Sequence, residues 1–321
     1  MSISVIVLAA GKGTRMKSEL PKVLHHVLGK SLLSHVFNVF SSIDNKFVVV
    51  GHESDLVINS IPPSIKNVIQ KDQLGTGHAV SIAINSEVFN EIKSEFTLVV
   101  PGDVPAINED DIASLIDEVK TKASPVGFLT AFVDNPFGYG RIVKNNQEIK
   151  IVEEKDCSEE EKAINEINSG IYCFRTEFLT ENIDNLNTEN AQGEFYLTDL
   201  IGIANNQKQD IVIVQVDEDS IKGINSMSQL NEVEDIMQKK LIEGFMEQGV
   251  YFQDPTSTYI DADVTISTGT KVLANTHLTG KTIIDENCTI GPNAQINDSS
   301  IGKNSKAVSY THLRAHETRN Y

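Results

Sequence analysis

Residues 4–16 read Ser-Val-Ile-Val-Leu-Ala-Ala-Gly-Lys-Gly-Thr-Arg-Met, and residues 20–22 read Leu-Pro-Lys. Ser4–Leu8 is a short, nearly unbroken apolar run, the pattern of a strand buried on both faces. A glycine-rich loop directly after such a strand presents backbone N–H groups that can cradle phosphate. Two familiar phosphate loops are excluded. The dinucleotide fingerprint needs a third glycine where Met16 stands, and the P-loop needs Gly-Lys-Ser/Thr after four spaced residues. What remains is Gly-x-Gly with Lys12, Arg15, Lys17 and Lys22 against Glu19. That local excess of positive charge sits in a chain of 27 basic and 45 acidic residues, with a net charge of −18.

Working outward, Ser31–Phe40 has helical spacing, Phe47–Gly51 and Asn67–Gln70 read as strands, and Gly77–Ile84 starts a helix. Phe96–Val100 is another buried strand, and Asp110–Val119 is helical. Strands alternating with helices predict a doubly wound, Rossmann-like α/β domain with a parallel sheet. Ligands of such sheets bind at the carboxyl ends of the strands, so the loops after Leu8 and after Val100 are the places to look. The second loop is Pro101-Gly102-Asp103-Val104-Pro105. An acid at a strand end, beside a glycine that permits close approach, suits a hard cation. The same residues also fit a tight turn with an Asx hydrogen bond.

The pattern changes twice further on. Met227, Leu230, Val233, Met237, Leu241 and Phe245 recur at three- and four-residue steps, which predicts one long amphipathic helix from Ser226 to about Gln248. Beyond Asp254-Pro255 the period becomes six. Ile260, Ile266, Val272, Leu278, Ile284, Ile290 and Ile296 are consecutive aliphatics at that step. Only a β-solenoid of hexapeptide repeats has this period, each aliphatic pointing inward from one face of a coil. The period slips by one at Ile301 and is lost after Ala307. The segment Val308–Tyr321 is polar, holds two of the eight histidines and continues no repeat. It reads as a spurious tail on a truncated chain. The expected division is 1–225 for the α/β domain, 226–250 for the linker helix, 251–306 for a partial β-helix and 307–321 for the tail.

Composition narrows the function. With 40% hydrophobic and 22% charged residues the chain is an ordinary globular one. Its acidity disfavours nucleic acid or an anionic membrane as partner. No apolar run approaches the ~20 residues of a membrane span, and no basic stretch precedes the N-terminal apolar run, so a reduced cytoplasm is expected. Three scattered cysteines make neither a disulfide framework nor a zinc site. His25, His26, His35, His52 and His78 lack metal-ligand spacing and read as surface or core residues. Glu159–Glu161 reads as a solvated charge run, and Phe132, Phe137 and Tyr139 read as packing.

LAAGKGTRM, LPKVLH, QLGTGHA, GDVP, GYGRI, Ile151-Val152-Glu153, EINSG and AQGEFYLTD together resemble the pyrophosphorylase domain of the bacterial bifunctional N-acetylglucosamine-1-phosphate uridylyltransferases. The long helix and hexapeptide region are similar to the rest of that family, in order from about residue 3 to 306. The first motif and the Leu-Pro-Lys are shared by sugar nucleotidyltransferases in general, whereas QLGTGHA, GYGRI and EINSG are more specific. The resemblance implies uridylyl transfer from UTP to N-acetylglucosamine-1-phosphate, releasing pyrophosphate, with Mg²⁺ as cofactor. It implies that Leu8, Ala9, Ala10 and Gly11 hold the nucleotide, that Gln70, Gly75 and Thr76 read the uracil, and that Arg15 and Lys22 are the catalytic phosphate contacts. Gly102 joins the substrate residues, Gly140, Glu153 and Asn168 hold the sugar, and Asp103 with Asn225 binds the metal. Two departures stand out: Pro101 replaces the usual tyrosine, and Ser226-Met227 continues the asparagine motif differently.

The full-length family forms a trimer and also acetylates glucosamine-1-phosphate with acetyl-CoA. Only about two and a half coils of roughly 18 residues are present here, so that second activity is expected to be lost and trimerisation is left open. Two other readings share most of these residues. One is a nucleotidyltransferase for glucose-1-phosphate; Glu153 with Asn168-Ser169-Gly170 favours the N-acetylated sugar instead. The other is a noncatalytic regulatory subunit of the same fold, which would tend to lose Arg15, Lys22, Asp103 or Asn225.

Overall fold

The computed structural model describes residues 2–145 and 148–308. Most of the terminal segment expected to be a tail, residues 309–321, lies outside the described residues. The chain forms two compact units, divided at Leu230–Asn231 within the helix Met227–Glu247. A short excursion, His26–Lys30, belongs with the second unit. There the Ala262 N–H donates to the Leu28 carbonyl at 2.9 Å.

The first unit is built on a sheet of nine strands: β1 (Ile3–Ala9), β2 (Asn45–Val50), β3 (Lys66–Ile69), β4 (Phe96–Pro101), β5 (Val126–Phe132), β6 (Arg141–Asn145), β7 (Glu148–Val152), β8 (Glu166–Arg175) and β9 (Ile211–Gln215). The spatial order is β9-β5-β8-β4-β1-β2-β3, with the β6–β7 hairpin attached to β8. β1, β2, β3 and β4 run parallel. β8 does not; it lies antiparallel to both β4 and β5. The expected parallel sheet is thus a mixed one, with β8 reversed in its middle and β7 reversed in the attached hairpin.

Both faces of the sheet are covered, which is why the strands read as nearly continuous apolar runs. Val5, Val7 and Ala9 of β1 join one core with α1 (Leu32–Val39) and α3 (Glu109–Thr121), while Ile6 joins the other with α2 (Thr76–Ile84) and α4 (Asp199–Asn206). Local chemistry sets the helix starts. The Ser31 hydroxyl caps α1 by accepting from the Ser34 N–H at 3.2 Å, and Asn108 caps α3. The Glu159–Lys162 helix closes with a reciprocal Ser158–Glu161 capping box and buries nothing, as the charge run suggested. The three cysteines are free and buried.

The second unit holds the last part of the long helix, here α5 (Met227–Glu247), and the repeat. Tyr259 pairs with His277, Thr265 with Ile283 and Lys271 with Thr289, each parallel and one coil of 18 residues on. Ile260, Ile266, Val272, Leu278, Ile284 and Ile290 are all buried, and Ile296 half-buried. A second row, two residues before the aliphatics, is buried as well: Thr258, Val264, Thr270, Thr276, Thr282, Cys288 and Ala294. Its threonine hydroxyls donate to turn carbonyls, Thr276 to Leu273 at 2.7 Å and Thr282 to Thr279 at 2.7 Å, so the corners of each coil stay satisfied away from water. The slip at Ile301 is a coil one residue short. Thr279 pairs with Asn297, 18 residues on, but Ile284 pairs with Ile301, only 17 on.

Each coil of a solenoid is stabilised mainly by its neighbours. Leu278→Ala, at a fully buried position between Ile260 and Ile296, is expected to cost about 2–5 kcal/mol by the transfer and cavity cost of a core leucine. Lys271→Ala, on an exposed position, is expected to stay within about 0.5 kcal/mol of the parent. Denaturant melts of the two variants that coincide would refute the inward assignment of the aliphatic row.

Candidate functional site

The chain crosses from β1 to β2 and β3 on one side of the sheet, then returns to β4 on the other side of β1. The carboxyl ends of β1 and β4 are therefore the switch point at which sheets of this kind bind ligands. A cleft of about 490 Å³ opens there. Leu8, Ala9, Ala10 and Gly11 line it from the β1 end, and Pro101 and Asp103 from the β4 end. Gln70, Gly75 and Thr76 line it from the segment between β3 and α2, and Gly140, Glu153 and Asn168 from the far side. These residues come from both sides of one opening, as the motif reading expected.

Lys22 joins the two strand ends. Its ammonium contacts Asp103 Oδ2 and donates to Asn225 Oδ1 at 3.0 Å. Arg15 donates to the same Asn225 oxygen at 2.9 Å. Four residues separated by up to 210 positions thus meet in one polar knot. Gly13 makes this possible. Its φ of +58° favours glycine, and a side-chain carbon there would lie 2.8 Å from Lys22 Cβ. Asn225 is oriented in turn, because its N–H donates to Gln229 Oε1 at 2.8 Å. Its neighbour Ile224 donates its own N–H to the Asp103 carbonyl at 3.0 Å.

Asp103 Oδ2 and Asn225 Oδ1 form an oxygen-only donor pair converging on a single cation, here the lysine ammonium. One carboxylate and one amide carbonyl suit a small hard cation that keeps its other positions for water and phosphate oxygens. Among the described residues, no cluster of three or more His, Cys, Asp or Glu side chains forms a protein-only cage. The pair present therefore suits a divalent cation.

The far side of the cleft is acidic. Burial is the largest influence on Glu153 and raises its carboxyl above the ordinary 4.5. The Thr198 hydroxyl, 3.3 Å from its Oε1, opposes that rise, and the charges of Asp156, Asp199 and Glu194 add to it. Gly140 approaches closely: a side-chain carbon there would lie 3.6 Å from Glu153 Oε2 and 3.1 Å from Ile151 Cγ2. The loop before it is anchored by buried Arg141, which bonds the Tyr139 carbonyl and pairs with Glu154 at 2.7 Å. Glu154 also accepts from the Gly138 N–H at 3.0 Å.

Some expectations need adjusting. Gly102 is buried and does not face the cleft; its N–H donates to the Leu8 carbonyl at 2.9 Å, binding the two strand ends to each other. Arg15 and Asn225 touch Lys22's knot without lining the cleft. Phe132 and Phe137 are 54% and 74% exposed and do not pack, whereas Tyr139 is half-buried against the core. Phe132 is the last residue of β5, beyond the stretch that the layers cover, and Phe137 sits on a loop, so hydrophobicity misled. Of the five histidines, His25 and His35 are buried, and His26 and His52 are exposed. His78 does more: its Nδ1 meets Gln70 Nε2 at 3.1 Å, and Gln70 Nε2 also donates to the Gly75 carbonyl at 3.2 Å, which fixes the Gln70 amide. Gln73, Tyr172, Glu194 and Thr198 also line the cleft and were not singled out. Gln73 opens the QLGTGHA motif, and Glu194 and Thr198 lie in AQGEFYLTD, so these three carried a hint.

Residues 5–141 match the family described as the MobA-like NTP transferase domain. The bifunctional protein GlmU of Fervidobacterium nodosum is 42% identical over 306 residues, covering 95% of this chain and 66% of that protein. GlmU of Clostridium acetobutylicum is 44% identical, covering 93% and 66%, and GlmU of Alkaliphilus oremlandii is 42% identical, covering 98% and 71%. The chain spans about two thirds of the length of these relatives. A solved Bacillus anthracis structure in complex with sucrose, described as a glucose-1-phosphate thymidylyltransferase, matches with a TM-score of 0.59 at 20% identity. It covers 73% of this chain and 95% of its own, a likeness of fold. The identity to GlmU runs through both the α/β unit and the repeat, so the chain belongs to the GlmU family of bifunctional proteins.

Proposed function

We propose that this chain transfers a uridylyl group from UTP to N-acetylglucosamine-1-phosphate, giving UDP-N-acetylglucosamine and pyrophosphate, with Mg²⁺ as its metal and the cytoplasm as its setting. The observation that carries the reading is a single cleft with Lys22 and Asp103 at one wall and Glu153 and Asn168 at the other. The assignment rests on residues 1–225; 226–250 is the connecting helix and 251–306 the repeat domain.

A sugar phosphate has its second pKa near 6, so it is largely dianionic at neutral pH and its oxygen attacks without a general base. The barrier lies in bringing two polyanions together and in the charge that develops on the departing pyrophosphate. Positioning and electrostatic stabilisation are therefore the protein's task. Arg15 and Lys22 stabilise the crowded phosphorus and the leaving group. The backbone of Leu8–Gly11 holds the nucleotide, and Gln70, Gly75 and Thr76 match the donor–acceptor edge of uracil. Asp103 and Asn225 hold Mg²⁺, which when bound neutralises phosphate charge. Gly140, Glu153 and Asn168 hold the sugar, with Glu153 accepting from its hydroxyls.

Pyrophosphate release from UTP and N-acetylglucosamine-1-phosphate, measured with and without Mg²⁺, tests the reading directly. Lys22→Ala and Asp103→Asn are each expected to lower kcat by about 10²-fold or more, with circular dichroism unchanged. Near-parental turnover in either purified variant would overturn the assignment.

Glu153 gives a second, pH-dependent test. Its folded-state pKa is raised, so its contribution to stability is full below its ordinary value of 4.5 and is lost as pH rises through the folded value. Glu153→Gln removes that loss. The unliganded variant is expected to gain Tm over the parent at pH 7 and to gain less near pH 4, while KM for the sugar phosphate rises about 10-fold or more. A Tm gap that widens toward acid would contradict the sign.

A further inference from the structure

The Glu-Ile-Asn-Ser-Gly stretch holds more than a sugar contact. On β8, Asn168 pairs with Thr130 and Tyr172 pairs with Phe128, so the strand carries two residues more than its partner between these points. In a regular strand, residues four apart lie roughly 13 Å from each other, beyond side-chain bonding. The bulge brings Asn168 Nδ2 to 2.6 Å from the Tyr172 hydroxyl oxygen. Ser169 holds it in place, donating to the Leu129 carbonyl at 2.8 Å and accepting from the Ile171 N–H at 3.0 Å. Bulges of this kind re-aim side chains beside functional sites.

The bonding fixes which way the amide faces. Asn168 Oδ1 accepts the Gly170 N–H at 3.2 Å. A flipped amide would set its NH₂ against that N–H, donor against donor, so the flip is excluded. One Nδ2 hydrogen is used on Tyr172, and the second is left for an acceptor in the cleft, which both residues line. The tyrosine cannot drift: its ring is 2% exposed, stacked on Phe174 at 5.6 Å and tilted against Phe128 at 6.1 Å. Burial pushes the phenol well above its ordinary 10, so it remains a neutral hydroxyl throughout the working pH range.

We propose that Tyr172 is the positioning residue for Asn168, holding its amide so that the free Nδ2 hydrogen reads the acetamido carbonyl at C2 of the sugar. This rests on the sugar-phosphate reading above. A C2 hydroxyl is shorter than an acetamido group and does not extend its oxygen to the same point. Tyr172 therefore acts on the choice between N-acetylglucosamine-1-phosphate and glucose-1-phosphate, and not on the nucleotide.

The test compares kcat/KM for the two sugar phosphates in the parent, Tyr172→Phe, Asn168→Ala and the double variant, with UTP saturating. The parent is expected to prefer the N-acetylated sugar. Tyr172→Phe is expected to lower that preference about 10-fold, the size of one lost hydrogen bond, the loss falling on the N-acetylated sugar. Because Tyr172 works through Asn168, adding Tyr172→Phe to Asn168→Ala is expected to change the preference no further. An equal loss on both sugars, or additive losses in the double variant, would overturn the positioning role. A parent that prefers glucose-1-phosphate would overturn the sugar reading itself, and this inference with it.

Discussion

A lysine ammonium shared between a carboxylate and an amide oxygen is the constraint on which the rest of the site depends. Lys22, Asp103 and Asn225 lie on three separate loops, and the contact exists only if all three arrive together. Much of the local sequence serves that arrival: Gly13 yields room to the Lys22 side chain, Gly102 ties the end of β4 to Leu8, and Ile224 ties the asparagine loop to the Asp103 backbone. The chain's net charge of −18 does not oppose this arrangement strongly. Exposed charges beyond a Debye length of about 8 Å are largely screened at physiological salt. In the proposed reaction the cation nearest an incoming phosphate is Lys22, its charge shared with Asp103 and backed by Arg15 through Asn225.

The reversed strand creates the other half of the cleft. β8 pairs with β4 only through Tyr172–Arg175, while Ile167 pairs with Arg141 of the β6–β7 hairpin on the same edge. Between these two partners the edge of β8 is open, and the bulge at Ser169-Gly170 occupies that stretch. Gly170 sits here with φ +76°, and a side-chain carbon would lie 3.1 Å from Pro101 Cγ. Pro101, standing where the family usually has tyrosine, thus packs against the strand that carries Asn168. A parallel sheet without this reversal would bind at one switch point; here the same opening gains a second wall from the hairpin and the bulge.

The elements that could be read from sequence were those with a local cause. Ser4–Leu8 was legible because both its faces are buried, and the six-residue aliphatic row because no other structure has that period. The small-residue row from Thr258 to Ala294 was hidden. Its members vary among Thr, Val, Cys and Ala, so the pattern is one of size and not of hydrophobicity. The reversal of β8 was hidden as well, since apolar periodicity says nothing about strand direction. The excursion His26–Lys30 left only Gly29 as a trace, and the partnership of Gln70 with His78 depends on how the start of α2 faces the end of β3. The cleft-lining residues named from sequence came from motifs, most of them at or after strand ends. Those that were missed, Tyr172 and Thr198 above all, support named residues from a buried strand and a helix start.

The two ends of the cleft carry opposite electrostatic character, and in the proposed reaction this orients the sugar phosphate before any specific contact forms. Lys22 and Arg15 attract the phosphate end. Glu153, with Asp156, Asp199 and Glu194 around it, repels phosphate and instead offers acceptors to hydroxyls. A reversed sugar would pay at both ends, leaving cations unmatched and setting a dianion against a buried carboxylate. The cost of this polarity is visible in the unliganded protein, where Glu153 is held in an environment that disfavours its charged form. Sites that bind polar groups without water commonly carry such strain, since the desolvation that weakens the empty site strengthens its hydrogen bonds once filled. The acidic wall is therefore not a remnant of the chain's overall composition but the complement of the cationic loop, and together they define which way round the substrate lies.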